Sequence, residues 1–145
     1  MPGTADILRT AAHHINAAGL NTGNQFIDPT TRSIDISAAI YVAAEVTCPN
    51  EFHTDELTSL EIIAASAPAM TAIRALSDSL DTGPCFTVIA PGHEVPDYIE
   101  HVSNWSATTP VFGDRPPNAA EVIGALLRAA NLADTTSAVP QQRAA

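Results

Sequence analysis

His93, Glu94, Asp97, Glu100 and His101 fall within one short stretch of the chain, the densest gathering of imidazoles and carboxylates in it. These are the ligand types that zinc or manganese takes, and the same pairs can exchange protons near neutral pH. Asp97 and His101 are four residues apart, so a helix opened by Pro96 would set them on one face. His93 would reach them from the preceding loop. His93, Asp97, Glu100 and His101 therefore form the candidate metal or proton-transfer set. A zinc site wants three or four ligands in fixed geometry, whereas one helix supplies two here. The plain alternative is an exposed acid and imidazole pair on a solvated face.

Asn104 and Trp105 follow directly and are the candidate binding residues, Trp105 being the sole tryptophan. A lone tryptophan near a helix end either locks that helix by its large buried area or anchors an interface or pocket. Other reactive groups lack partners. Glu51, His53, Asp55 and Glu56 make a second polar cluster, but carboxylates at a helix start complement the dipole without further purpose. Cys85, between Pro84 and Phe86, has no glycine elbow or orienting group beside it and reads as a buried, inert thiol. His14, flanking an apolar helix face, reads as a satisfied boundary histidine. Gly23, Gly83, Gly92 and Gly113 are isolated turn residues and form no phosphate loop.

The elements that must position these groups are helices. Thr4 can cap a first helix with Ile7, Leu8, Ala11, Ala12 and Ile15 inward, stopped by Gly19 and Leu20. Residues 25–27 and 32–36 flank Asp28-Pro29-Thr30-Thr31 as a small hairpin around a type I turn. Asp35 or Ser37 opens a second helix that is apolar nearly all round and so belongs at the centre. Thr54-Asp55-Glu56 starts a third, Pro68 breaks it near Ser66, and a fourth covers residues 67–80 with Ala69, Ile73, Leu76 and Leu80 inward. Residues 85–90 are β-prone, able to pair with the hairpin or to cover a core edge. Pro96 and Asp97 open a fifth helix through Tyr98, Ile99 and Val102, and residues 107–117 make a turn-rich loop. Asn118 and Glu121 form a reciprocal capping box for a sixth, whose face is Ala119, Val122, Ile123, Leu126 and Ala130.

The expected fold is thus mainly α, a compact bundle of about six helices with a small β-hairpin or short sheet. Its 145 residues suit a single helical domain over 1–134, followed by a flexible polar C-terminal tail over 135–145. Alanine supplies much of the apolar 46%, so the helices should approach closely. Six arginines, no lysine and sixteen acids leave a formal charge of −10, which argues against binding the phosphate backbone of a nucleic acid. Cys48 and Cys85 make no disulfide framework, and no apolar run reaches the ~18 residues of a membrane span. A cytoplasmic protein with reduced thiols, no membrane partner and no cofactor is the expectation.

In its order of features the chain resembles an uncharacterised family of small helical proteins of actinomycetes and their phages. The resemblance rests on Ile7-Leu8-Arg9-Thr10-Ala11-Ala12 running to Gly19, on residues 34–44, on Trp105, and on residues 120–130. Where that family carries Cys and Gly entering the central helix this chain has Asp35 and Ala38, and Ser106-Ala107 replaces an Asn-Asp pair after the tryptophan. The resemblance implies the helix order and a bacterial cytoplasmic setting, and it implies no reaction. The expected role is non-catalytic, a domain that binds a protein partner or itself. The alternatives are a small metal- or ligand-binding protein or enzyme built on the His/Asp/Glu set, and an acidic antitoxin or nucleic-acid mimic.

Overall fold

The computed structural model describes residues 2–23 and 25–144, with the side chains of 137–144 left aside. In chain order the elements are α1 (Thr4–Ala18), α2 (Ile36–Glu45), α3 (Glu51–Thr54), α4 (Glu56–Ala64), α5 (Ala67–Ser79), β1 (Cys85–Ala90), β2 (His93–Asp97), α6 (Tyr98–Ala107) and α7 (Ala119–Ala144). This is a mainly α bundle with one small antiparallel hairpin, as its patterning predicts.

The apolar helix α2 lies inside. Ala38, Ala39 and Ile40 are completely buried, with α1, α5 and α6 packed around it. Its start is fixed by Asp35, whose carboxylate accepts from the amides of Ser37 (2.8 Å) and Ala38 (3.4 Å). The amphipathic α1 buries Ile7, Leu8, Ala11 and Ile15 between α2 and α7. Alanines at these contacts let the backbones come close, and larger side chains fill what remains. Phe52, from the single turn of α3, plugs one end, its ring 5.9 Å from Phe26 and 5.4 Å from Tyr41.

Local chemistry explains most of the boundaries. Gly19 takes φ +91°, in the left-handed half of the map that glycine enters cheaply, and its amide closes α1 on Ile15. Ser66 caps α5 by accepting from Ala69, so the break between α4 and α5 falls where Pro68 requires it. The α7 capping box forms in both directions: Asn118 accepts from the Glu121 amide (2.9 Å) and Glu121 from the Asn118 amide (3.2 Å). Arg9 joins α1 to α7 by donating to Asn131 and Asp134.

Three expectations are corrected. The cap of α1 is Gly3, whose carbonyl accepts from Ile7, while Thr4 already sits in the helix. The hairpin expected over residues 25–36 shrinks to single bridges, Ile34 pairing with Ile27 and with Leu20. Asp35 pulls Ile36 into α2, and Asp28 closes the turn itself by accepting from the Thr30 and Thr31 amides. The real hairpin is β1 with β2, Phe86 opposite Pro96 and Thr87 opposite Val95. Pro96 is therefore a strand residue, tolerated because a two-stranded ribbon consists of edges, and α6 begins only at Tyr98. The backbone of α7 runs from Ala119 to Ala144, and Ala145 lies outside the described residues.

Candidate functional site

α6 carries Glu100, His101, Asn104 and Trp105 and separates two cavities. Asp97 caps it by accepting from the Glu100 amide (3.0 Å), and its other oxygen accepts from Thr87 of β1 (3.3 Å). Because α6 starts after Asp97, that carboxylate stays at the helix mouth and does not join His101 on a common face. His101 turns inward, only 7% exposed, with Nδ1 2.6 Å from the Ser77 hydroxyl and Nε2 2.7 Å from that of Thr82. Burial holds its imidazole below the ordinary value, against an opposing pull from Asp78. A neutral ring donating at one nitrogen and accepting at the other satisfies both hydroxyls and fastens α6 to α5 and to the segment leading into β1.

His93 stands exposed on β2, and Glu100 is exposed on the first turn of α6. Of the expected set, Asp97 and Glu100 line one cavity and Glu100 and His101 another, while His93 stays on the exposed hairpin. Among the described residues no group of three or more His, Cys, Asp and Glu side chains is placed to hold a metal ion. Cys85 is also corrected: it is an exposed free thiol, as is Cys48, and every residue of β1 is exposed.

Asn104 and Trp105 do line cavities. Trp105, half-buried against the core, walls a space of about 300 Å³ with Thr82, Cys85, Pro110, Val111 and Pro117. Asn104 stands at the edge of this space and of a second one, of about 330 Å³, on the other side of α6. The second cavity is walled by Gln25, Asp35, Glu56, Asp97, Glu100 and Ser103, with Phe26 and Leu60 supplying apolar surface.

Asp35 is the unusual group there. It is 7% exposed, and its Oδ2 accepts from Ser37, Ala38 and the Ser103 hydroxyl (3.2 Å). Desolvation outweighs those bonds and, with Glu56 nearby, pushes its carboxyl up to about 6. No hydrogen bond reaches Oδ1 among the described residues. Gln25 adds a buried acceptor whose Oε1 finds no donor among the described residues. Asn21 shapes the loop that presents it, donating to the Gln25 carbonyl (2.6 Å) and accepting from the Gly23 amide (2.9 Å). The sequence marks Asp35 as a helix cap, but no spacing links it with Gln25, Glu56 and Ser103, which arrive from three other segments.

The hairpin presents a different surface. Phe86, Val88 and Ile89 of β1 are 62%, 63% and 66% exposed, and Val95 of β2 is 40% exposed. Phe86 and Val88 share one face, whereas Val95, opposite Thr87, lies on the other, so apolar groups meet solvent on both sides. Val111 and Phe112, in the loop before α7, are essentially fully exposed. Val111 and Cys85 wall the same cavity, which places loop and hairpin on one side of the molecule.

The chain belongs to a family of unknown function (DUF6197), whose sequence pattern matches residues 1–132. No curated protein and no solved structure matches it. No single helix among the described residues is long and apolar enough to cross a membrane.

Proposed function

We propose that this chain is a non-catalytic interaction domain of the bacterial cytoplasm, in an actinobacterium or its phage, that docks a protein partner on the β1–β2 hairpin. The observation that carries the reading is the exposure of Phe86, Val88 and Ile89 on an uncovered strand. A two-stranded ribbon gains little stability by itself, and an uncovered apolar edge strand invites pairing with other chains. Natural proteins blunt such edges unless a partner occupies them. Phe112 and Val111 extend the patch, and aromatic anchors of this kind dominate the energetics of interfaces.

Charge selects the class of partner. With a net charge of −10, two copies repel each other, whereas a partner offering an apolar patch rimmed by Lys or Arg is attracted toward Asp81, Glu94 and Glu100 beside the hairpin. Exposed thiols at Cys48 and Cys85 suit a reducing compartment.

Site-specific photo-crosslinking in the native host tests the reading. A crosslinker at Ile89 should give one discrete protein adduct that weakens as salt rises, and the same group at Asn16 on α1 should not. Equal labelling from both positions, or no adduct from Ile89, would reject hairpin docking.

A further inference from the structure

Four carboxylates, those of Asp35, Glu56, Asp97 and Glu100, line the cavity beside Asp35. Gln25 Oε1 is a buried acceptor that meets no donor among the described residues, a condition that costs stability unless something supplies the missing N–H group, and the hydrogen bonds that Asp35 accepts all fall on its Oδ2. Glu56, Asp97 and Glu100 add carboxylates around them, and no Lys, Arg or His is part of the lining. Phe26, Leu60 and Ile99 form an apolar wall suited to methylene groups. A space of about 330 Å³ lies within the range of small-molecule sites.

We infer that this cavity binds a small organic cation, an ammonium or guanidinium group on a short aliphatic stem, with its N–H donors on Asp35 Oδ1 and Gln25 Oε1. A divalent metal fits the site less well, since the carboxylates do not converge as a ligand set. A guanidinium or ammonium group offers several donors at once and keeps its charge while making them. Binding would also give the ionised form of Asp35 a counter-charge, drawing its carboxyl down from about 6. Glu56, Asp97 and Glu100 face the same space, so each adds to the attraction. Asp97 and Glu100 adjoin the hairpin, but none of its exposed apolar residues lines this cavity, so the inference does not rest on partner docking.

Calorimetric and NMR titration with agmatine tests this, with 1,4-butanediol as the uncharged control. One saturable site at pH 7.5 with Kd below about 1 mM is expected for agmatine, and none for the diol. Asp35→Asn, which retains an N-cap, and Gln25→Leu, which leaves α2 untouched, should each weaken binding by about tenfold or more. Glu61→Gln, outside the lining, should change nothing. Wild-type affinity should fall between pH 7.5 and pH 5, and the Asp35→Asn variant should lose that step. The inference is overturned if agmatine does not saturate, if both lining variants bind it as wild type does, or if magnesium ion at equal concentration displaces it. The double variant Phe86→Ser/Phe112→Ser should still bind agmatine, which keeps this test separate from that of the hairpin.

Discussion

The two ends of β1 and α2 illustrate how differently this chain treats apolar residues. Around α2, side chains from α1, α3, α5 and α7 are excluded from water: Leu8, Ile40, Phe52, Leu76 and Leu126 are all fully buried. On the hairpin, residues just as greasy stand in solvent on both faces. The bundle therefore holds itself together without the hairpin's apolar groups, and those groups are free for another molecule. Burial at ~25 cal/mol per Å² stabilises the first region, whereas the second has yet to gain that energy.

The largest effect should come from the core. Phe52→Ala removes the ring between Phe26 and Tyr41 and should cost about 3–5 kcal/mol in chemical denaturation. Next comes Asp35. Its folded carboxyl, raised from 3.8 to about 6, binds its proton more tightly than in the unfolded chain. Its contribution therefore favours the fold below pH 4 and is lost as pH rises through 6, amounting to on the order of 2–3 kcal/mol. Unfolding free energies at pH 4 and pH 7 should show this difference in wild type relative to Asp35→Asn; an identical pH dependence in the two would contradict it.

Ser77→Ala leaves Nδ1 of the buried His101 without its hydroxyl partner and should cost about 1–3 kcal/mol. Asn118→Ala breaks one half of the α7 capping box for about 1 kcal/mol. Both sharpen the contrast, because truncating Phe86 should move stability by no more than about 0.5 kcal/mol.

What could be read in advance follows from how local each signal is. The Gly19 stop, the Asp35 cap, the Pro68 break and the Asn118–Glu121 box each depend on neighbours within four residues, and all are found where the residues put them. β2 was obscured because Pro96 followed by Asp97 is also a helix opening, and only pairing with Phe86 makes it strand. Cys85 reads as a buried, inert thiol because no activating group stands beside it in sequence, whereas every residue of β1 is exposed. The polar continuation of α7 lacks an apolar stripe, so periodicity cannot extend the helix to Ala144.

The candidate sites were harder still. Asp97 and His101 have helix-like spacing, but a start at Tyr98 and an inward pull from Ser77 and Thr82 send them to different places. Asn104 and Trp105, marked in sequence by a conspicuous lone tryptophan, line cavities. Gln25, Asp35, Glu56 and Ser103 were not legible as a set, since only the folded chain gathers four segments around one cavity.

The most direct test is the double variant Phe86→Ser/Phe112→Ser, measured for its unfolding midpoint and for crosslinking from Ile89. An unchanged midpoint with the adduct lost is the predicted result. A midpoint lowered as far as that of Phe52→Ala, or an adduct that persists at wild-type yield, would show that the hairpin is not the docking surface.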